Sequence, residues 1–554
     1  MCDIKPLDKP PWNTLLMTKR LASAILLLAA FHAYHALASE RPNVIIMLAD
    51  DLGWADVGYH GGDIDTPSLD RLAAEGIELG RFYTTPICSP TRAALMTGRN
   101  PIRLGIAYAV IMAWSNNGVH PDERFLPEAF LDAGYQTAMV GKWHLGHAQQ
   151  TYHPNERGFE HFYGHLHTEV GYFPPFANQG GKDFQRNGVS IEDDGYETDL
   201  IAREASRYIR ERDRKRPFFL YMPFLAPHTP LEAPPELIEK YKDIETDLPP
   251  ARSDYTDSTR RISALMMRES ARPLYAAVVD AMDQAIGQVL DTLDAEGIAD
   301  NTLVLFFSDN GGAAYSVGGA NNAPLRGGKG ETFEGGIRVV ATMRWPERIS
   351  AGSRMEEIMT VMDVFPTLTE ATDIEPGEHF PWDGSSLWSA IESGARAPRT
   401  EDVFFVSETP IYGQFNFTVF DDEWKLVQEV EQDQLTVSVT NHLFRISDDP
   451  NEYRNLAAQH PDIVQEYAQR VRHWRALHPI QGTRSALVPP PGWRAPKDWA
   501  TYPRAIDNLQ SEPAFGMPPS TVIKHLLDMQ HGERGRLVYD CETRWYLAGL
   551  CTRN

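Results

Sequence analysis

Four stretches of the chain are near-continuous apolar runs that stop abruptly at polar groups: NVIIMLADD (43–51), QTAMVGKWH (136–144), PFFLYMPFLAPH (217–228) and TLVLFFSDNGG (302–312). A half-exposed strand alternates apolar with polar residues, whereas runs of this kind suit strands buried on both faces of a sheet. Helical periodicities lie between them. The longest is PLYAAVVDAMDQAIGQVLDTLDAEGI, where Leu274, Ala277, Val278, Ala281, Met282, Ile286, Val289 and Leu293 recur every three or four positions. That spacing predicts a helix laid over one face of the sheet, and the alternation through residue 345 predicts an α/β fold.

Around residues 395–400 the texture changes. FFVSE, FNFTVF, WKLVQEV, LTVSV and HLFRI read as strands and PDIVQEYAQRVRHWRAL as a helix, which predicts a small antiparallel sheet with one helix. From Gln481 the chain turns proline-rich (VPPPGW, 488–493) and then irregular. A chain of 554 residues exceeds what one core organises, so the expected division is a large domain over 39–395, a C-terminal subdomain over 396–480 and a wrapping extension over 481–554.

Residues 1–38 read differently. Lys19 and Arg20 precede the apolar stretch Leu21–Phe31, and Ala36-Leu37-Ala38 forms a small-residue cleavage site, the pattern of a secretory signal. The apolar core is too short to span a bilayer comfortably, so export to a periplasmic or secreted location is expected, without stable membrane insertion. Loss of this segment removes two acidic and four basic residues and moves the formal charge from −24 to −26. Such acidity argues against nucleic-acid binding, and a polyanionic substrate would need a local basic pocket. Of Cys2, Cys88, Cys541 and Cys551, the first leaves with the signal and the last two are close enough in sequence to pair. Cys88 is then a lone thiol in an oxidising compartment.

In open α/β sheets ligands sit outside the carboxyl ends of the strands, so Asp50, Asp51, Lys142, His144, His228, Asp309 and Asn310 are candidates for one crevice. Three carboxylates and an amide at adjacent strand ends repel one another unless a cation neutralises them, and all-oxygen ligands favour calcium or magnesium. Asp-Asp or Asp-Asn-Gly alone would read as a turn; two such pairs ending two buried strands favour the metal. Arg92, Lys142, Lys329, His144 and His228 would surround a tetrahedral anion. Lys142 and His144, two apart on a strand, are expected to point the same way. The Gly-rich LRGGKGETFEGG (325–336) fails the Walker pattern because Gly330 follows Lys329; it reads as a loop that brings Lys329 close.

CSPTRAALMTGR (88–99) resembles the first signature of the type I sulfatases, Cys-x-Pro-x-Arg, and GYQTAMVGKWHLG (134–146) resembles the second. NVIIMLADDLGWADVGYHGG, TPSLDRLAAEGI, APHTP, FFSDNGG and PLRGGKGETFEGGIRV extend the likeness over 42–345, and HLFRISDDPNEYRNLA extends it to about residue 470. Within the family the likeness is to arylsulfatase B-like enzymes acting on sulfated glycans. The resemblance implies an alkaline phosphatase-like α/β sandwich, and it implies that a formylglycine-generating enzyme oxidises Cys88 to formylglycine, whose hydrate attacks sulfur. It further implies one Ca2+ per chain held by Asp50, Asp51, Asp309, Asn310 and the modified Cys88. Arg92 would hold the formylglycine hydroxyl, and Lys142 and Lys329 the sulfate. His228 would act as general acid and His144 would take the proton of the second hydroxyl. Thr91 stands where serine is usual. Two alternatives are a phosphonate monoester or phosphodiester hydrolase with the same nucleophile, and an inactive glycan-binding protein with Cys88 unconverted. HPNERGFEHFYGHLHTEVGYFPP (153–175) is either a sugar-facing loop or a structural one.

Overall fold

The structure is a computed structural model that describes residues 41–244, 271–313, 319–409, 414–432, 437–479, 489 and 491–501. The expected signal segment, Cys541, Cys551 and most of the extension lie outside these residues.

Ten strands form the large sheet: β1 (Asn43–Ala49), β2 (Ile77–Leu79), β3 (Gln136–Lys142), β4 (His161–His165), β5 (Gln185–Arg186), β6 (Val189–Ser190), β7 (Phe218–Pro223), β8 (Thr302–Ser308), β9 (Ala341–Arg344) and β10 (Ser353–Met355). Their order across the sheet is β10-β2-β9-β8-β1-β7-β3-β4-β5-β6. The four apolar runs supply β8, β1, β7 and β3, which are adjacent and mutually parallel, with β4 parallel beside β3. Strand β9 runs antiparallel to β8 and β5 antiparallel to β4, so the sheet is mixed.

Helices α1 (Pro67–Glu75), α2 (Cys88–Thr97), α3 (Leu126–Asp132), α4 (Glu197–Glu211), α5 (Arg272–Ala295) and α6 (Val364–Ala371) cover both faces. The two-residue alternation of β1 sorts them. Val44, Ile46 and Leu48 pack with residues of α2, α3 and α6, whereas Ile45, Met47 and Ala49 pack with α1, α4 and α5. All six β1 side chains are fully buried, each larger one contributing about 1.5–3 kcal/mol. Double-sided burial is the physical cause of the unbroken apolar runs, and the expected long helix is α5.

A second sheet holds β11 (Val403–Thr409), β12 (Gln414–Phe420), β13 (Trp424–Gln432) and β14 (Val437–Arg445) in sequential antiparallel order, covered by α7 (Pro461–Arg475). The two runs LTVSV and HLFRI are not separate strands. No glycine or proline interrupts them, and β14 pairs with β13 without a break from Val437 to Arg445. Residues 491–501 return to the large domain, where Lys182 N–H donates to Lys497 O and Trp499 N–H donates to Lys182 O, each at 3.0 Å. Among the described residues no helix is long and apolar enough to cross a membrane.

Candidate active site

Because β8, β1, β7 and β3 are parallel neighbours, their carboxyl ends open onto one edge of the sheet. Asp309 and Asn310 follow β8, Asp50 and Asp51 follow β1, His228 lies just beyond β7, and Lys142 closes β3. Asp51 leaves its strand at φ 73°, a left-handed turn that aspartate tolerates better than most side chains. Its backbone N–H donates to Asp309 Oδ1 (3.3 Å), and Leu52 N–H donates to Ser308 Oγ (3.0 Å).

Helix α2 begins at Cys88 after an extended Ile87 and ends at Gly98 in the left-handed region, whose N–H donates to Ala94 O at 2.8 Å. Every residue of α2 is buried. Thr91 is accommodated by a bond of its own, its hydroxyl donating to Thr85 O (3.1 Å). The thiol of Cys88 donates to Asp50 Oδ1 at 3.5 Å. Arg92, one helical turn on, sends Nη2 to Asp50 Oδ2 (2.8 Å) and Asp309 Oδ2 (3.0 Å), and Nη1 to Lys142 O (2.8 Å). It braces both acidic pairs against β3.

Lys142 Nζ pairs with Asp50 Oδ2, and Lys329 Nζ donates to Asp51 Oδ2 at 2.7 Å. The loop carrying Lys329 closes tightly over the strand end: a Cβ on Gly311 would lie 1.8 Å from Gly335 O. Asn310 Nδ2 donates to Asp51 Oδ1 (2.7 Å), which leaves its own Oδ1 buried without a hydrogen-bond partner. His228 Nε2 stands 3.8 Å from Asp51 Oδ2. Single donor atoms of Asp50, Asp51, Cys88 and His228 all fall within 4.8 Å of one another.

Burial opposes charge on Asp50, yet Lys142, His228 and Arg92 outweigh it and hold its carboxyl well below the usual range. Burial and the neighbouring Asp50 push Asp309 up. Burial, then Asp309 and Asp50, push the Cys88 thiol well up, so it stands as a neutral thiol rather than a thiolate. Burial with Lys329 and Lys142 pulls His228 down to about 4.

His144 departs from the expected geometry. Strand β3 ends at Lys142 and His144 takes φ 61°, so the alternation that would align the two side chains is broken. Its Nε2 meets Ile111 O (3.2 Å), while Ser89 Oγ donates to His144 O (3.0 Å) and accepts from Ile111 N–H (3.1 Å). His144 Nδ1 is buried with no hydrogen-bond partner, and burial with Lys142 lowers its basicity.

The stretch 153–175 is only partly a loop, since its middle is β4. Past that strand, Glu169 was not singled out from sequence: its Oε2 stands 3.9 Å from His228 Nδ1, and burial pushes its carboxyl up to about 7. His165 sits beside Lys142 in the β3–β4 register, fully buried, with neither ring nitrogen hydrogen-bonded. Neither ends an apolar run, the signal that marks Asp50, Asp51, Lys142, His144, His228, Asp309 and Asn310, and neither lies in the motifs that mark Cys88, Arg92 and Lys329.

Three cations converging with three carboxylates at the carboxyl ends of parallel strands suit the binding and hydrolysis of a tetrahedral oxyanion ester. Residues 42–374 match the family described as Sulfatase, and the chain belongs to that family and is a sulfuric ester hydrolase. It is 31% identical to arylsulfatase J of Mus musculus over 478 residues, covering 78% of this chain and 75% of that protein. It is 33% identical to N-acetylgalactosamine-6-sulfatase of Homo sapiens over 384 residues, covering 64% and 67%. Among solved structures it resembles Ps i-CgsB in complex with k-i-k-neocarrahexaose, with TM-score 0.69 and 30% identity over 79% of this chain and 94% of that one. The fold is the alkaline phosphatase-like one expected.

Proposed function

We propose that the chain is an exported enzyme that removes sulfate from sulfated glycans, using residue 88 as formylglycine and a bound Ca2+. The observation that carries this is the convergence at one strand edge of Cys88, the acidic pairs Asp50–Asp51 and Asp309–Asn310, and the cations Arg92, Lys142 and Lys329. The names of the relatives, a sugar sulfatase and a protein crystallised with an oligosaccharide, support the glycan reading.

The donor chemistry fits a hard divalent cation: carboxylates of Asp50, Asp51 and Asp309, and the orphaned Asn310 Oδ1. Bound there, the cation would polarise the sulfate and acidify the hydroxyl at residue 88. Three carboxylates balance three cationic side chains, so a divalent ion leaves the pocket positive by two, which attracts the monoanionic sulfate ester and matches the dianion released. Conversion of Cys88 supplies a hydrated aldehyde with one hydroxyl to attack sulfur and a second to expel sulfate, chemistry that the neutral, hydrogen-bonded thiol lacks.

The chain's own residues do the rest. Lys142 and Lys329 bind sulfate oxygens from two sides, and Arg92 fixes the carboxylates and lies against residue 88. His228, its Nδ1–H donating to Thr229 O, turns Nε2 toward the leaving alcohol; as general acid it carries a second proton on Nε2, held there once the bound sulfate's negative charge offsets Lys329 and Lys142, and gives it up as the bond to sulfur breaks. His144, its Nδ1 buried and open, takes the proton of the second hydroxyl. A formylglycine-generating enzyme is the maturation partner. Turnover of an aryl sulfate and an aryl phosphonate by the mature enzyme tests the assignment: preferential sulfate release is expected, and exclusive phosphonate cleavage would overturn it.

A further inference from the structure

The described part of the extension is short, but it lands beside the sulfate pocket. Trp499 is fully buried, with its ring 3.9 Å from that of His167 and 5.3 Å from that of His147, and its Nε1 donates to Asn178 O at 3.1 Å. Asn178 Nδ2 in turn donates to Glu169 O (2.7 Å), and Glu169 is the residue that faces His228. On the other side, the segment whose Ile111 carbonyl meets His144 continues to Ala113, which meets His147 Nε2 (3.0 Å), and to Trp114. Trp114 packs edge-on against Trp493 with centroids 5.9 Å apart. The strap 491–501 therefore lies behind two walls of the pocket mouth at once.

The strap sets two cations against one acid, Asp498. In a protein of net charge −24 it carries Arg494 and Lys497, both exposed, beside a Trp493 that is only half-buried, as is Met112 next to it. Trp493 stacks with Trp499 (centroids 6.4 Å apart) and meets Trp114 edge-on, and its remaining half-exposed indole surface, on the same short segment as two exposed cations, fits a sugar ring that bears sulfate, because the ring's apolar C–H face stacks on indole while the sulfates meet the cations. From Ile111 to Trp114 the backbone spans at most about 11 Å, so Trp114, against which Trp493 packs, stays close to His144 and within reach of a sugar chain held at the pocket.

We propose that residues 491–501 build a binding subsite for a sulfated oligosaccharide, with Trp493 as its stacking surface and Arg494 and Lys497 as its cationic flank. The proposal rests on the sulfated-glycan reading of the active site. Trp493 touches neither the strand-end carboxylates nor the sulfate-binding cations, so it is a specificity determinant for the sugar chain.

The test compares three substrates, an aryl sulfate, a sulfated monosaccharide and a sulfated hexasaccharide, on the wild-type protein, Trp493→Ala, Trp493→Phe and the double variant Arg494→Ala, Lys497→Ala. Trp493→Ala should lower kcat/KM about tenfold on the hexasaccharide, the scale of one aromatic stack, and leave the other two substrates unchanged. Trp493→Phe should recover most of the loss. The double variant alters only exposed side chains, so it folds whatever Trp493 contributes to packing, and it should show the same length dependence. Equal loss on all three substrates, or no loss on the hexasaccharide in either variant, overturns the subsite. Failure of the wild-type protein to release sulfate from the aryl ester would overturn the sulfatase mechanism instead, so the two failures are distinct.

Discussion

Two of the buried ion clusters among the described residues differ in how they are closed. At the junction of the two sheets Lys425 Nζ lies 2.8 Å from Glu334 Oε1 and 2.9 Å from Glu452 Oε1, while Tyr83 donates its hydroxyl to Glu334 Oε2 (3.1 Å). Lys425 serves both carboxylates there, Arg338 Nη1 stands a further 3.7 Å from Glu334 Oε2, and burial pushes Glu452 up to about 7. At the strand edge Arg92, Lys142 and Lys329 meet Asp50, Asp51 and Asp309 one for one. Yet Asn310 Oδ1 and His144 Nδ1 remain orphaned, and Lys329 and His228 keep 12% of their side chains exposed. Burial of charge is common to both. Glu452 Oε1 also lacks a hydrogen-bond partner, but Lys425 Nζ covers it at 2.9 Å; at the strand edge the open atoms belong to a neutral amide and imidazole beside the part-exposed Lys329 and His228, and that is what a ligand requires.

The comparison can be broken at its extremes. Cys88→Ala should abolish sulfate release below detection while the melting temperature barely moves, because α2 keeps its capping and packing; residual sulfate release from this variant would refute the nucleophile. Lys425→Met should do the reverse. It strands the buried Glu452 and leaves Glu334 with only Tyr83 and Arg338, at a cost of about 3–5 kcal/mol, and lowers the denaturant midpoint far more than it lowers kcat on the protein that remains folded. A drop in kcat at unchanged stability would show the junction to be part of the site.

Smaller effects sharpen the same contrast. Removing calcium with a chelator should lower both activity and melting temperature, by about 2.7 kcal/mol of stability if free Ca2+ stands at a hundred times its Kd, and adding Ca2+ back should restore both. An unchanged melt would weigh against the cation. Glu197, fully buried on α4, is pushed up to about 8, chiefly by burial. A carboxyl whose folded pKa is raised stabilises the fold fully below its unfolded value and loses that contribution as pH rises to the folded value. Stability should therefore decline between about pH 4.5 and 8, at up to about 1.4 kcal/mol per pH unit, and Glu197→Gln should flatten that slope. The same slope in the variant would assign the decline elsewhere.

How much of this was legible in the sequence depends on the kind of burial. Strands β8, β1, β7 and β3 are covered on both faces, which forces continuous apolar runs, and the polar residues that end them mark the crevice. Strand β4, HFYGH, is equally buried, but His161 and His165 occupy the face where leucine or valine would be expected, because α4 offers Glu204 to His161 at 2.8 Å. Long-range polar pairing of that sort has no local signature, and Glu169 and His165 go unseen with it. Backbone direction is equally hidden: nothing in GKWHLG announces the left-handed turn at His144. The proline-rich text of the extension likewise conceals that Trp499 is a core residue of the large domain.

The central claim is that this pocket cleaves sulfate with an oxidised side chain at position 88, and the mass of the peptide spanning residue 88, taken from active enzyme, tests it most directly. The account predicts a peptide lighter than the thiol form by about 18 Da, the difference between a thiol and an aldehyde. Active enzyme whose peptide carries only the intact thiol would contradict it.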